Sequence, residues 1–160
     1  ATYVEVNYEG KGPHGVLVFV ECATDNTTRT VANVKSYFNK VGGQIVPNGS
    51  LEFMFDRKAV FEVAKPEDFD VEEWELELID FGLEDIEEDD ESVYIYGEYT
   101  DFGTLSTALE ERKVDVKNAS LKRYPTTEVE FDEEQTTEIE KLLDKLDDDD
   151  DVQAVFTNLA

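Results

Sequence analysis

The chain has 160 residues, of which 40% are hydrophobic and 11% aromatic, which is enough for the core of one large domain or two small ones. Its formal net charge of -26 comes from 40 acidic and 14 basic residues, a surplus that normally repels nucleic acid and anionic membranes. One cysteine and one histidine exclude an internal disulfide framework and a histidine-rich metal centre.

The first third of the sequence predicts a β-β-α-β unit. Tyr3–Tyr8 alternates apolar and polar residues, turn residues follow, and Val16–Val20 is a continuous apolar run, which together indicate a β-hairpin. Small hydroxyl and amide residues then precede apolar residues at helical spacing, so we expect a helix over Thr28–Lys40 that a Gly-Gly pair ends. Leu51–Phe55 alternates again and is predicted to be the third strand.

The middle of the chain predicts a second unit with the order β-α-β-β-α-β, which is the order of a ferredoxin-like fold. Its elements are a strand at Ala59–Ala64, a helix with the apolar face Val71, Trp74, Leu78 and Phe81, strands near Leu83–Ile86 and at Ser92–Glu98, a short helix carrying Phe102, Leu105 and Leu109, and extended chain over Ala119–Val129. This unit is complete without the C-terminal segment.

The C-terminal segment predicts one more helix and one more strand. Asp132 and Gln135 have the spacing of a capping box, and apolar residues at helical spacing follow, which predicts a helix over Glu133–Leu146. The run Asp147–Asp151 is expected to be solvated, and Val152–Phe156 has the pattern of a strand. Because the second unit is already complete, we predict that this helix and strand complete the first.

The predicted fold class is therefore α+β, with two ferredoxin-like α/β sandwich units of which the second is inserted into the first. Residues 1–57 and 125–160 would form a discontinuous domain, and residues 58–124 an inserted acidic domain. The charge is uneven along the chain: residues 1–58 hold six acids and six bases, whereas residues 59–91 hold sixteen acids and one lysine.

The sequence contains no clear catalytic or metal-binding motif. The acidic runs Glu87–Glu91 and Asp147–Asp151 lack the alternating aspartates and the glycine turn of an EF-hand loop. Cys22 needs a neighbouring base to act as a nucleophile; His14 is within reach in the predicted hairpin, but a buried structural thiol is the commoner arrangement. We therefore predict a protein that is not an enzyme and has no cofactor and no small-molecule substrate.

The apolar segments also bear on the location of the protein. The longest apolar run, Gly15–Val20, is far shorter than the roughly 20 residues that cross a bilayer. The chain shows no basic start followed by an apolar block, as a secretory signal would. We therefore expect a cytoplasmic protein with no membrane partner.

The basic residues of the first predicted helix are the main functional candidates. Lys35 and Lys40 fall outside its apolar face, and Arg29 lies in its first turn, where a cation opposes the helix dipole. Arg29 could serve an anionic ligand or a carboxylate of this chain, and an ordinary solvated helix face is the third alternative. Together with Arg57 and Lys58, these three residues form the predicted nucleic-acid-binding set.

Three segments carry a resemblance to a known family: YEGKGPHGVLVFV, ECATDNTTRTVANVKSYFNKVGG and NGSLEFMFDRK. They are similar to the YebC/PmpR family, which includes the mitochondrial translational activator of cytochrome c oxidase subunit I, and the likeness is specific over residues 3–58. The resemblance implies a basic helical domain followed by two further domains, with the third inserted into the second. This chain would then begin at the second domain, without the helical one.

The resemblance implies a non-enzymatic regulator of gene expression, either a DNA-binding transcriptional regulator or a ribosome-associated translation factor. DNA, RNA or the ribosome would be the partner of the intact protein. The sequence departs from the family pattern at His14, Thr27–Thr28 and Val46–Pro47, and the second departure removes a base beside Arg29. The alternative, which follows from the charge distribution, is an acidic interaction module that recruits a basic protein partner.

Overall fold

The computed structural model describes residues 2–160 and confirms the predicted α+β class. It contains two four-stranded antiparallel sheets, each packed against helices. The chain divides into two compact units: unit 1 consists of the residues up to Asp56 together with Tyr124–Ala160, and unit 2 consists of Arg57–Arg123.

The strands and helices follow one another in a simple order. In chain order they are β1 (Val4–Lys11), β2 (Leu17–Thr24), α1 (Thr27–Lys40), β3 (Gln44–Val46), β4 (Phe55–Ala64), α2 (Val71–Leu78), β5 (Leu83–Glu88), β6 (Ser92–Glu98), α3 (Phe102–Glu111), β7 (Val116–Pro125), α4 (Glu133–Asp147) and β8 (Val152–Thr157). Short 3-10 helices lie at Pro13–Gly15, Glu52–Met54, Ile79–Phe81 and Tyr99–Asp101. Within residues 2–160, no helix has both the length and the apolar character needed to span a membrane.

The sheet of unit 1 has the strand order β3-β1-β2-β8. Strands β1 and β2 form the predicted antiparallel hairpin, and β8 pairs with the other edge of β2. Helices α1 and α4 cover one face of this sheet, because the buried side chains of both helices and of the strands form one cluster: Tyr8, Val16, Val18, Val20, Cys22, Val34, Phe38, Ile139, Leu142 and Leu146. The C-terminal helix and strand thus belong to the same unit as the N-terminal hairpin.

Phe38 is at the centre of this core and is completely buried. It belongs to the inward stripe of α1, which also includes Thr30 and Val34 at intervals of four residues. Gly10 on β1 lies directly beneath the ring, since a Cβ atom at that position would overlap Phe38. The glycine therefore makes the space that the aromatic side chain fills.

The structure differs from the prediction at Leu51–Phe55, where the alternating pattern indicates a strand. The third strand of unit 1 is β3 instead, and Glu52–Met54 forms a 3-10 helix. Leu51 and Phe55 are buried together with Phe19 on the face of the sheet opposite α1 and α4, so the apolar spacing here is that of one helical turn. The alternation was therefore a misleading signal.

Glu9, a buried carboxylate on β1, fixes the loop that precedes this turn. Its oxygens accept hydrogen bonds from the backbone amides of Gly49, at 2.5 Å, and of Leu51, at 2.7 Å. These bonds satisfy two loop amides, of which the amide of Leu51 is buried. Phe53 follows on the outer side of the turn and is 88% exposed.

Unit 2 has the chain order β-α-β-β-α-β and the strand order β5-β6-β4-β7, which is the predicted ferredoxin-like arrangement. Its buried cluster joins both helices to the sheet: Ala59, Phe61, Val63, Trp74, Leu78, Val93, Ile95, Leu105, Ala108 and Leu109. Gly97 allows α3 to approach β6, because a Cβ atom there would lie 2.5 Å from Leu105. The last strand, β7, begins three residues before the predicted segment and ends at Pro125.

Candidate nucleic-acid interface

A network of polar side chains anchors the first turn of α1. Asn26 caps the helix, and its side-chain oxygen accepts a hydrogen bond from the backbone amide of Arg29 at 3.0 Å. One turn further in, the hydroxyl of Thr30 lies 2.8 Å from the hydroxyl of Thr24 and 2.9 Å from a carboxylate oxygen of Asp151. The segment TDNTTRT is therefore tied both to the end of β2 and to the start of β8.

Arg29 binds two carboxylates of its own chain. Its Nε donates to Asp151 Oδ2 at 3.3 Å, its Nη2 donates to Asp151 Oδ1 at 3.1 Å, and Nη2 also donates to Asp25 at 3.0 Å. A fork of this kind holds a guanidinium in one orientation. Of the three alternatives for Arg29, the structure contains the intramolecular carboxylate, which accounts for a cation in the first turn of the helix.

The expectation that all five aspartates are solvated is wrong for Asp151, which is 8% exposed. Burial acts to raise its pKa, but the hydrogen bond from Thr30 and the ion pair with Arg29 outweigh burial and hold the pKa below the ordinary value of 3.8. The physical reason is strand pairing: β8 begins at the next residue and aligns with β2, so Asp151 is drawn against the end of the sheet.

Asp149, in the same acidic run, also forms a side-chain hydrogen bond. It accepts a hydrogen bond from the hydroxyl of Tyr37 at 2.7 Å; burial first, and then this carboxylate, raises the pKa of Tyr37 to about 12. An open polar cleft of about 500 Å³ lies beside this segment and is lined by Tyr3, Asp25, Arg29, Asn33, Asp149, Asp150 and Asp151. Four of its seven lining residues are acidic, so the cleft does not suit a phosphate group.

Cys22 and His14 do not form a nucleophile and base pair. Cys22 is buried on β2, and burial, together with the charges of Asp149 and Asp151, raises its pKa to about 12. The Nε2 atom of His14 lies 2.8 Å from the carboxylate of Glu138 on α4. The thiol is part of the core, and its pKa is raised, whereas the pKa of a reactive cysteine is lowered.

The Cys22 thiol is expected to resist alkylation in the folded protein. A pKa near 12 instead of 9.0 lowers the thiolate fraction at pH 8 by about a thousandfold, and burial also excludes the reagent. We expect iodoacetamide to label the chain more than a hundredfold more slowly in buffer than in 8 M urea, as measured by mass spectrometry. Equal rates in the two solvents would contradict the buried position of the thiol.

Lys35 and Lys40 are the exposed cations of α1 that have no carboxylate partner in the part of the chain that the structure describes. Lys35 lies in the middle of the outward stripe of the helix, which also includes Thr28, Ala32 and Asn39. Lys40 lies in the last turn, where a cation is favoured by the helix dipole. Within residues 2–160, neither lysine has an ion pair or a side-chain hydrogen bond. Lys35 is thus the predicted residue that has neither a partner side chain in the described chain nor a favourable position at a helix end.

Arg57 and Lys58 lie on β4 and already have partners in unit 2. The Lys58 ammonium contacts Glu84 and Glu98 at 2.9 Å each, and these bonds raise its pKa. The guanidinium of Arg57 lies over the ring of Tyr99, 5.2 Å from its centroid. Neither side chain is fully exposed, so a phosphate group would have to compete with these contacts.

The five predicted residues lie on two different elements. Arg29, Lys35 and Lys40 share α1, but the first and last are eleven residues apart, about 16 Å along the helix. Arg57 and Lys58 belong to unit 2. Whether any of the five binds nucleic acid stays a prediction; the geometry leaves Lys35 and Lys40 available for it.

Comparisons with known proteins agree with the resemblance drawn from the sequence. A family model described as TACO1/YebC second and third domain matches residues 3–159. A probable transcriptional regulatory protein of Wolinella succinogenes is 66% identical over 157 residues, which are 98% of this chain and 66% of that protein. One from Sulfurimonas denitrificans is 53% identical over 160 residues, which are all of this chain and 68% of that protein.

The fold is also found in a solved structure. The crystal structure of a conserved hypothetical protein from Aquifex aeolicus matches with a TM-score of 0.80 and 34% sequence identity, over 99% of this chain and 65% of that one. The chain thus spans slightly less than two thirds of the Wolinella and Aquifex proteins. On the family match and the sequence identities together, this chain belongs to the TACO1/YebC family.

Proposed function

We propose that this chain is a non-enzymatic, cytoplasmic regulator of gene expression that approaches a nucleic acid through the exposed face of α1. Family membership and the regulator names of its relatives support this proposal. The observation that carries it is the position of Lys35, which lies on an outward stripe without an ion pair, whereas carboxylates already bind Arg29 and Lys58.

The charge distribution favours the segment that contains α1 over the acidic segments for a polyanion. The chain carries a net charge of -26, but residues 1–58 are neutral overall. A phosphate backbone is repelled by the acidic segments and less so by a neutral surface with free lysines. Two lysines give weak binding with a shallow salt dependence, so we propose that the α1 face orients a complex whose main affinity comes from elsewhere.

Charge reversal at Lys35 and Lys40 tests this surface. The double variant K35E/K40E is expected to bind at least tenfold more weakly at 50 mM salt, and its salt slope is expected to fall by about 2, because each phosphate contact contributes roughly 0.9. Binding is measured by fluorescence anisotropy with duplex DNA and single-stranded RNA, and by co-sedimentation with purified ribosomes. The probe that responds distinguishes a transcriptional from a translational role.

The variant K141E/K145E is the matched control, since it makes the same charge change on α4 of the same unit. Both lysines are exposed. We expect it to bind like the parent protein apart from a small general repulsion. If both double variants lose affinity equally, long-range charge explains the effect and the α1 interface is wrong.

A second candidate function is an acidic interaction module that recruits a basic protein. The observation that favours it is on α2, where exposed carboxylates without ion pairs surround exposed apolar side chains. Electrostatic complementarity of this kind speeds association and selects partners by charge. Recruitment of this kind is compatible with a regulator and uses a different surface.

A further inference from the structure

The outer face of α2 carries apolar side chains that the fold does not use. Leu76 is 77% exposed and Ile79, at the next turn, is 62% exposed. The opposite face of the same helix buries Trp74 and Leu78 in the core of unit 2. The helix therefore has one buried apolar face and a second, smaller apolar face that is largely exposed.

Four carboxylates surround this second apolar face without cationic partners. Glu72, Glu73, Glu75 and Asp80 are all exposed, and within residues 2–160 none of them forms an ion pair. Three other cations of unit 2 already have carboxylate partners: Arg112 pairs with Glu77, Lys58 with Glu84, and Lys65 with Glu88. The carboxylates on the outer face of α2 are thus free to bind a positively charged partner.

We infer that the outer face of α2 docks a basic amphipathic helix of a partner protein, an inference that rests on the second candidate function. Leu76 and Ile79 would contact apolar residues at i and i+3 or i+4 of the partner, and lysines or arginines beside that stripe would pair with the carboxylates. The helix is eight residues long, about 12 Å, so the contact is small and belongs to the weak, transient class.

The charges decide between the possible occupants of this surface. A nucleic acid would place phosphates against four carboxylates. A second copy of this chain in a two-fold contact would bring identical acidic faces together, which is unfavourable for the same reason. A basic chain without an apolar stripe would leave Leu76 and Ile79 in water. A basic amphipathic helix satisfies both the charges and the apolar side chains.

The test uses two synthetic 18-residue peptides of identical composition. In the first, leucines form one helical stripe flanked by lysine and arginine; in the second, the same residues are scrambled so that no stripe forms. Fluorescence anisotropy with the 160-residue chain is measured at 50 and 200 mM salt. We expect the amphipathic peptide to bind at least tenfold more tightly than the scrambled one.

Two variants separate the apolar contribution from the charged one. L76A/I79A is expected to weaken binding of the amphipathic peptide at least tenfold at both salt concentrations. E72Q/E75Q is expected to weaken peptide binding mainly at 50 mM salt and so to reduce the salt dependence of binding. F53A in unit 1 and D147N/D148N at the end of α4 are matched controls for exposed apolar area and for charge, and we expect them to bind like the parent protein.

The outcomes distinguish failure of the site from failure of the function. Equal binding of both peptides, or parental binding by L76A/I79A, would overturn docking on α2 while leaving recruitment of basic proteins intact. If neither peptide binds at 50 mM salt, the second candidate function fails as well. All variants change exposed side chains, and unchanged thermal unfolding of each variant confirms that binding and not folding was altered.

Discussion

Replacing Phe38 with alanine is expected to lower the free energy of unfolding by about 4 kcal/mol, because it leaves a cavity at the centre of a closed core. The side chain is completely buried between α1, α4 and the sheet of unit 1. Urea unfolding followed by far-UV circular dichroism measures the loss. Trp74, the only tryptophan of the chain, reports on unit 2 separately, and we expect its fluorescence transition to shift less.

Gly10 provides the internal control for this prediction. G10A alone is expected to cost about 2 kcal/mol, since its methyl group would occupy space that the Phe38 ring fills. In an F38L background the same change is expected to cost much less, which gives a coupling energy in a double-mutant cycle. If the two substitutions were simply additive, the packing of Phe38 on Gly10 would be contradicted.

The second large effect is expected at Asp151. D151A removes the charged acceptor shared by Thr30 and Arg29, so both side chains lose a hydrogen bond to a carboxylate, and we expect a loss of about 2 kcal/mol near neutral pH. D151N keeps the shape and an acceptor oxygen, and its loss should be smaller. Chemical unfolding at pH 7 compares the two variants with the parent.

The contribution of Asp151 is also expected to depend on pH. Its pKa in the folded protein lies below the ordinary value of 3.8, so the charged form stabilises the fold above that pH. The stabilisation is lost as the pH falls through the folded pKa, where the folded protein also binds the proton. The gap in unfolding free energy between parent and D151N should therefore be constant from pH 5 to 7 and narrow below pH 4. A gap that widens in acid would contradict the ion pair.

The elements predicted from the sequence are those set by local signals. Helix α4 begins with the predicted capping box between Asp132 and Gln135, and α1 starts and ends within one residue of its prediction. The order of elements also predicted the second unit, because β-α-β-β-α-β has few compact arrangements. The domain boundaries predicted at 57–58 and 124–125 stay a prediction.

Contacts between distant residues could not be predicted in this way. Glu9 binds the loop around Gly49 across 40 residues, and Thr30 binds Asp151 across 121. Periodicity describes which face of an element is apolar but does not identify the partner of a buried polar group. A position directly before a predicted strand is not a sufficient signal for Asp151, since Glu91 also directly precedes a predicted strand and is exposed.

In the candidate site, too, the local features could be predicted from the sequence, but the long-range contacts could not. The helix dipole correctly singled out Arg29 as a residue in need of an anion, and the sequence left open whether that anion was a ligand or a carboxylate. The partner in the structure is Asp151, which lies 122 residues away in the chain. The assignment of Lys35 to a nucleic acid depends on this result, because it is the fold that distinguishes an engaged cation from a free one.

The central claim is that Arg29 stabilises the fold through its ion pairs, whereas Lys35 contacts the nucleic acid. Parallel measurements on R29Q and K35Q test it most directly, with thermal unfolding and salt-dependent binding to DNA, RNA and ribosomes recorded for both. We predict that R29Q lowers the melting temperature and, at temperatures where it is folded, binds like the parent, whereas K35Q melts like the parent and binds more weakly. The account would be contradicted if folded R29Q bound more weakly, with a salt slope reduced by about 0.9, the contribution of one phosphate contact, while K35Q bound like the parent.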